Sequence, residues 1–149
     1  MYMRVSTNQC VCLKSVSTCR EHVKDLLDAL CDIELKKKYD ETFEGGHYVY
    51  RDLPLDCSVS YFKFKKVLVV SPRDLTIIGR LYRVSDREFY LMAKTFDLPS
   101  IPPTKNIVRA DTLISGWHVK IIEDGVNGGK PLCKVTFYSE VDFKISLFI

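Results

Sequence analysis

No run in the 149-residue chain approaches the roughly 20 consecutive apolar residues that a helix needs to cross a bilayer. The opening residues MYMRVSTNQC lack the basic start and unbroken apolar stretch of a secretory signal, which points to a cytoplasmic setting. Histidine is scarce: His22, His47 and His118 stand far apart and no Cys-x-x-Cys pair accompanies them, so neither a metal site nor a cofactor is expected. The six cysteines, at 10, 12, 19, 31, 57 and 133, are irregularly spaced in a chain too long to need stapling, and they read as thiols rather than as a disulfide framework. The seven glycines form no phosphate-cradling loop, and neither G-x-S-x-G nor H-E-x-x-H occurs. No catalytic residue is assigned, and an enzyme is not expected. Strong charge of one sign is also missing. A net charge of +3 falls short of the basic stripe that nucleic-acid partners require, but it allows transient contact with an anionic membrane surface.

What is present is enough chain for one domain with a sizeable core, 46% hydrophobic and 28% charged. QCVCLKSV (9–16) alternates loosely and reads as a strand. The period then changes: Val23, Leu26, Leu27 and Leu30 recur at helical spacing, and Thr18 with Glu21 forms a T-x-x-E capping box, giving a helix over 18–31. DIELKKKYD (32–40) reads as a second short helix, capped by Asp32, with Ile33, Leu35 and Tyr39 inward and Lys36, Lys37 and Lys38 on a solvated face. After Gly45 and Gly46 the pattern is β almost to the end. Strands are expected over 47–52, 58–70, 75–84, 88–96, 106–122 and 132–143, joined at hairpin spacing into an antiparallel meander. Two helices are too little to cover such a sheet.

VVSPRDLTIIGRLYRV (69–84) interrupts this β pattern with Ser71, Pro72, Arg73 and Asp74. From the residues alone, the break is either a surface turn with an exposed ion pair or a loop that holds a cation over a cavity. Likewise Val135, Phe137 and Val141 share one face of a strand, which is the wall of either a tunnel or a solid core.

The order of elements and three motifs, DIELKKKYD, VSPRDL, and VRADTLISGW followed by CKVTFYSEVD, resembles the START family of lipid-transfer domains over about Cys10 to Phe143. The motifs are similar to the family's D-x-x-x-x-x-x-W-D, with Tyr39 in place of Trp, and to its S-x-R-D-F-V. The resemblance implies an α+β helix-grip fold, a curved antiparallel sheet with helices packed around a lipid tunnel. Family members begin with a helix and two strands ahead of the region equivalent to Cys10 and end in a lid helix. Residues 1–149 are thus expected to be a single START-like domain, a fragment lacking those terminal elements, whose uncovered sheet face promotes self-association. The implied function is non-enzymatic lipid binding and transfer by a cytoplasmic protein peripheral to membranes. The alternative is a lipid-sensing regulatory module attached to another domain.

In the family the segment matching SPRDL lies beside the tunnel entrance, and Arg73 either braces that loop or meets a headgroup phosphate, for which an Arg fork is suited. The implied lipid contacts are Arg73, Asp74, Tyr90, Trp117, Val135, Phe137 and Tyr138, with Trp117, Tyr90 and Tyr138 offering rings to a choline group. Sterol-type members hold an acid and an arginine inside the tunnel at the places of Ser60 and Gly79. Arg80, one residue further on, faces the other side of its strand. Phospholipid is therefore expected as ligand ahead of sterol.

Overall fold

The computed structural model describes residues 2–5, 10–52, 55–68 and 70–144. Gln9, Val69 and the apolar terminal residues 145–149 lie outside the described residues. One antiparallel sheet dominates, built from β1 (Tyr2–Val5), β2 (Val11–Arg20), β3 (Phe43–Asp52), β4 (Cys57–Phe64), β5 (Arg73–Ser85), β6 (Glu88–Thr95), β7 (Val108–Arg109), β8 (Asp111–Glu123) and β9 (Leu132–Asp142). Its order is β1-β2-β9-β8-β6-β5-β4-β3, with β7 added in parallel beside the start of β5. β3 to β9 form the expected meander, and β2 joins it by pairing with β9 from Val11↔Val141 to Arg20↔Leu132. Two α-helices, α1 (Val23–Cys31) and α2 (Ile33–Tyr39), connect β2 to β3. The expected curved sheet with helices against it is the fold observed.

Leu27 is buried, and Val23, Leu26 and Leu30 pack with it on Val119, Cys133 and Val135. This stripe holds α1 against the sheet, at about 1.5–3 kcal/mol for each large side chain fully removed from water. Asp32 ends α1 and starts α2: its carboxylate accepts from the N–H groups of Glu34 and Leu35, 2.8 and 3.1 Å away.

Several boundaries differ from the sequence reading. Thr18 does not cap a helix, because β2 continues through Arg20 and Thr18 pairs with Lys134. α1 begins at Val23 with His22 at its cap position and no side-chain cap bond; the ladder with β9 wins over local capping. β3 starts at Phe43 and runs through both glycines. A Cβ on Gly46 would lie 2.4 Å from the Tyr61 carbonyl oxygen, so this glycine permits close strand approach rather than ending a strand. β4 stops at Phe64, and the chain turns back through a small loop closed by mutual backbone bonds between Val67 and Val70. Lastly, Arg73 and Asp74 are neither a turn nor a loop: they open β5, opposite Phe64 and Lys63. Tyr39, expected inward, is 53% exposed.

Candidate functional site

Strand register sorts the sheet into two faces. On the face that carries α1, β9 presents Cys133, Val135, Phe137, Ser139 and Val141, and β8 presents Trp117, Val119 and Ile121. By the same alternation, β6 adds Phe89 and Leu91, β5 adds Arg73, Leu75, Ile77, Gly79 and Leu81, and β4 adds Ser58, Ser60, Phe62 and Phe64. α1 fills one end of this concave face as a solid core. At the other end, towards α2 and the 65–72 loop, a half-open cleft of about 480 Å³ remains. Its apolar wall comes from Leu13, Phe64, Val67, Val70, Phe137, Val141 and Phe143, and its polar rim from Lys36, Asp40, Thr42, Lys65, Ser71, Arg73 and Ser139. The loop tip beside it, Leu68, is 88% exposed.

Arg73 reaches this cleft from a buried position. Its Nε donates to the carbonyl of Phe143 at 3.1 Å and one Nη donates to the carbonyl of Ser71. The guanidinium therefore braces the start of β5 against the chain leaving β9, and two of its five N–H groups are committed to carbonyls.

Asp74, one residue on, faces the opposite side and is 1% exposed. Arg109 holds it in a two-pronged ion pair, Nε to Oδ1 at 2.6 Å and Nη2 to Oδ2 at 3.1 Å, and also donates to the carbonyl of Ile101 at 3.2 Å. That partnership holds the Arg109 pKa above its ordinary value. Tyr61 adds its hydroxyl at 3.3 Å; burial first, and then the Asp74 charge, raises the Tyr61 pKa. Asp74 thus fastens the 97–110 segment to β5.

The lipid contacts expected from the sequence divide accordingly. Arg73 and Phe137 line the cleft, and Trp117 lies beside Phe137 on the same face, ring centroids 4.7 Å apart. Val135 is on that face too, but under α1 in the solid core. Asp74, Tyr90 and Tyr138 are on the convex face. Tyr90 stacks on His118 at 4.3 Å, and Tyr138 lies under the Lys14 ammonium at 5.3 Å. The three rings proposed for choline are therefore not gathered at one place. Ser60 and Gly79 both face the concave side, whereas Arg80 is exposed on the convex side with its guanidinium over the Tyr82 ring.

Sequence reading missed Lys36, Asp40 and Arg109. Lys36 belongs to a lysine run taken as a solvated face, yet it turns inward to pair with Asp40 at 2.9 Å, each side chain only 24% exposed. The available signal was its place three residues after Ile33 and four before Asp40, one helical stripe. Arg109 could have been found by asking which cation a buried strand aspartate requires.

A single deep antiparallel sheet, gripping helices on one face and leaving an apolar cleft beside them, defines the class of helix-grip domains. The START domain family profile matches residues 11–147, and the chain belongs to that family. Among curated proteins, START domain-containing protein 10 of Mus musculus and of Homo sapiens are each 27% identical over 133 residues, which is 87% of this chain and 42% of theirs. The chain thus spans less than half the length of these relatives. Among solved structures, the crystal structure of human STARD10 is similar with a TM-score of 0.76 at 24% identity, covering 92% of this chain and 53% of that one. Human StAR-related lipid transfer protein 5 is similar with a TM-score of 0.78 at 18% identity, covering 97% and 68%. Among the described residues, no helix is long and apolar enough to cross a membrane.

Proposed function

We propose that this chain binds phospholipid in the cleft between the concave sheet face, α2 and the 65–72 loop, and carries it between membranes without chemical change. The observation that carries this reading is an apolar cleft with Arg73 in its rim and, elsewhere on the same concave face, small uncharged residues at Ser60 and Gly79. A diacyl lipid has roughly 30 methylenes, and leaving them in water costs on the order of 20 kcal/mol at about 0.8 kcal/mol each. A carrier must therefore supply an apolar wall, part of which Leu13, Phe64, Phe137 and Val141 provide. A sterol ligand offers one hydroxyl and no phosphate, so it leaves the spare N–H groups of Arg73 without a charged partner. Exposed Val67 and Leu68 beside Lys65 and Lys66 suit a peripheral, transient contact with a membrane surface.

A vesicle-to-vesicle transfer assay with fluorescent phosphatidylcholine and cholesterol donors tests the reading. Protein-dependent movement of intact phospholipid is expected. Transfer of cholesterol alone would sink the phospholipid assignment, and hydrolysis of the donor lipid would sink the absence of chemistry.

A further inference from the structure

Lys36 sits where a ligand's ammonium would be expected. Its Nζ is 2.9 Å from the Asp40 carboxylate and lies 5.2, 5.6 and 5.9 Å from the ring centroids of Phe43, Tyr39 and Phe64. One carboxylate and three aromatic rings within about 6 Å of one point is the composition that recognises alkylammonium groups. Here the chain's own lysine occupies it. A choline headgroup would have to compete with a cation tethered one helix turn away, at the high effective concentration that tethering gives. The remaining charge favours the other sign. Phe64, one wall of the cage, is the cross-strand partner of Arg73, and Lys65 lines the same cleft. Three cations therefore face one carboxylate around it.

We infer that the cleft selects phospholipids whose headgroup is net negative over phosphatidylcholine of the same acyl chains, with Lys36 as the residue that excludes choline. This rests on the phospholipid reading above and adds headgroup selectivity to it. Arg73 has N–H groups left for a phosphate, and a charge-assisted bond of that kind changes affinity about tenfold or more. Both headgroups bring the same phosphodiester to Arg73, so the discrimination lies at the cage, which Lys36 keeps filled. A zwitterionic one brings an ammonium that finds the cage filled.

The test uses the 149-residue chain incubated with vesicles of equimolar phosphatidylcholine and phosphatidylglycerol carrying identical acyl chains. After separation from vesicles, the lipid retained by the protein is extracted and quantified by mass spectrometry. Phosphatidylglycerol is expected to be enriched several-fold over the vesicle ratio, on the order of what one cation–π site contributes. Lys36→Met, which keeps the aliphatic stem, should lose most of that enrichment and retain more phosphatidylcholine in absolute terms. Lys37→Met, on the same helix and paired with Glu34 outside the cleft, should leave the ratio unchanged. Asp40→Asn keeps the Lys36 ammonium but removes its carboxylate, so it should preserve or sharpen the acidic preference; Lys36→Gln, which also removes the ammonium and should lose the enrichment, decides the question if Lys36→Met does not fold. Phospholipid retained at the vesicle ratio would overturn the selectivity and leave the phospholipid reading intact. Retention of no phospholipid at all would sink both. An unchanged ratio in folded Lys36→Met would overturn the role given to Lys36. Displacement of the lipid by inorganic phosphate, against a chloride control, would identify a free-anion site and overturn the lipid headgroup assignment.

Discussion

Arg73 and Asp74 are neighbours in sequence, but strand alternation sends them to opposite faces with different work. Asp74 is held by Arg109 in a buried pair, and breaking such a pair from one side typically costs about 3–5 kcal/mol because it strands the other charge. Arg73 spans the start of β5 and the end of β9, and hydrogen bonds from a charged donor contribute about 1.5–3 kcal/mol. Arg73→Leu is therefore predicted to lower the melting temperature of the lipid-free protein and to reduce lipid loading, whereas Arg80→Leu, on the convex face, should change neither by much. Thermal unfolding and lipid quantification on both variants check this. Equal melting temperature and equal loading in Arg73→Leu and wild type would reject both the brace and the lipid contact. The division between the two side chains was legible in principle, since adjacent residues of a strand cannot share a face. It was hidden because Pro72 made the segment look like the end of a strand rather than its beginning.

At the scale of elements, the helical stripe of α1, the Asp32 cap and the succession of strands could all be read from period and turn chemistry. What could not be read was competition between local and long-range partners. The Thr18 to Glu21 pattern is a sound local cap, but β9 offers Thr18 a full ladder, and the ladder prevails. The lysine run of α2 hid the inward Lys36 for a related reason: composition does not say which lysine faces the sheet. Asp40 ties this helix to the cleft. Burial pushes its carboxyl up, but hydrogen bonds from the Thr42 hydroxyl and from Lys36, with the Lys36 charge, outweigh that and hold its pKa below the ordinary 3.8. A carboxyl whose pKa falls on folding adds stability that is complete above the unfolded value and is lost as the pH drops through the folded one. The difference in urea midpoint between wild type and Asp40→Asn should accordingly be steady from neutral pH to about pH 5 and shrink below about 3.8. A difference that stays constant throughout that acid range would contradict the pairing of Asp40 with Lys36 and Thr42.

At the scale of the whole molecule, the sheet has one face closed by α1 and an apolar cleft beside it, and the convex face carries its own ion pairs and ring stacks. Periodicity showed that Val135, Phe137 and Val141 share a side, but it could not decide between tunnel and core because both need the same residues. The structure separates these residues: Val135 lies in the core under α1, and Phe137 and Val141 lie in the wall of the half-open cleft. Family motifs located the sheet, but they placed Arg73 in a loop, whereas it opens β5, and they did not separate the two faces for Asp74, Tyr90 and Tyr138. The central claim is that acyl chains occupy the concave face, and the chain carries a natural reporter there, because Trp117 is its only tryptophan and lies against Phe137 of the cleft wall. The direct measurement is Trp117 fluorescence in the protein–lipid complex, isolated from vesicles, with brominated or unbrominated acyl chains on otherwise identical phospholipid. Strong quenching by the brominated lipid is predicted. A complex that retains brominated phospholipid while Trp117 emits as in the unbrominated control would contradict the account, because the lipid would then be bound elsewhere.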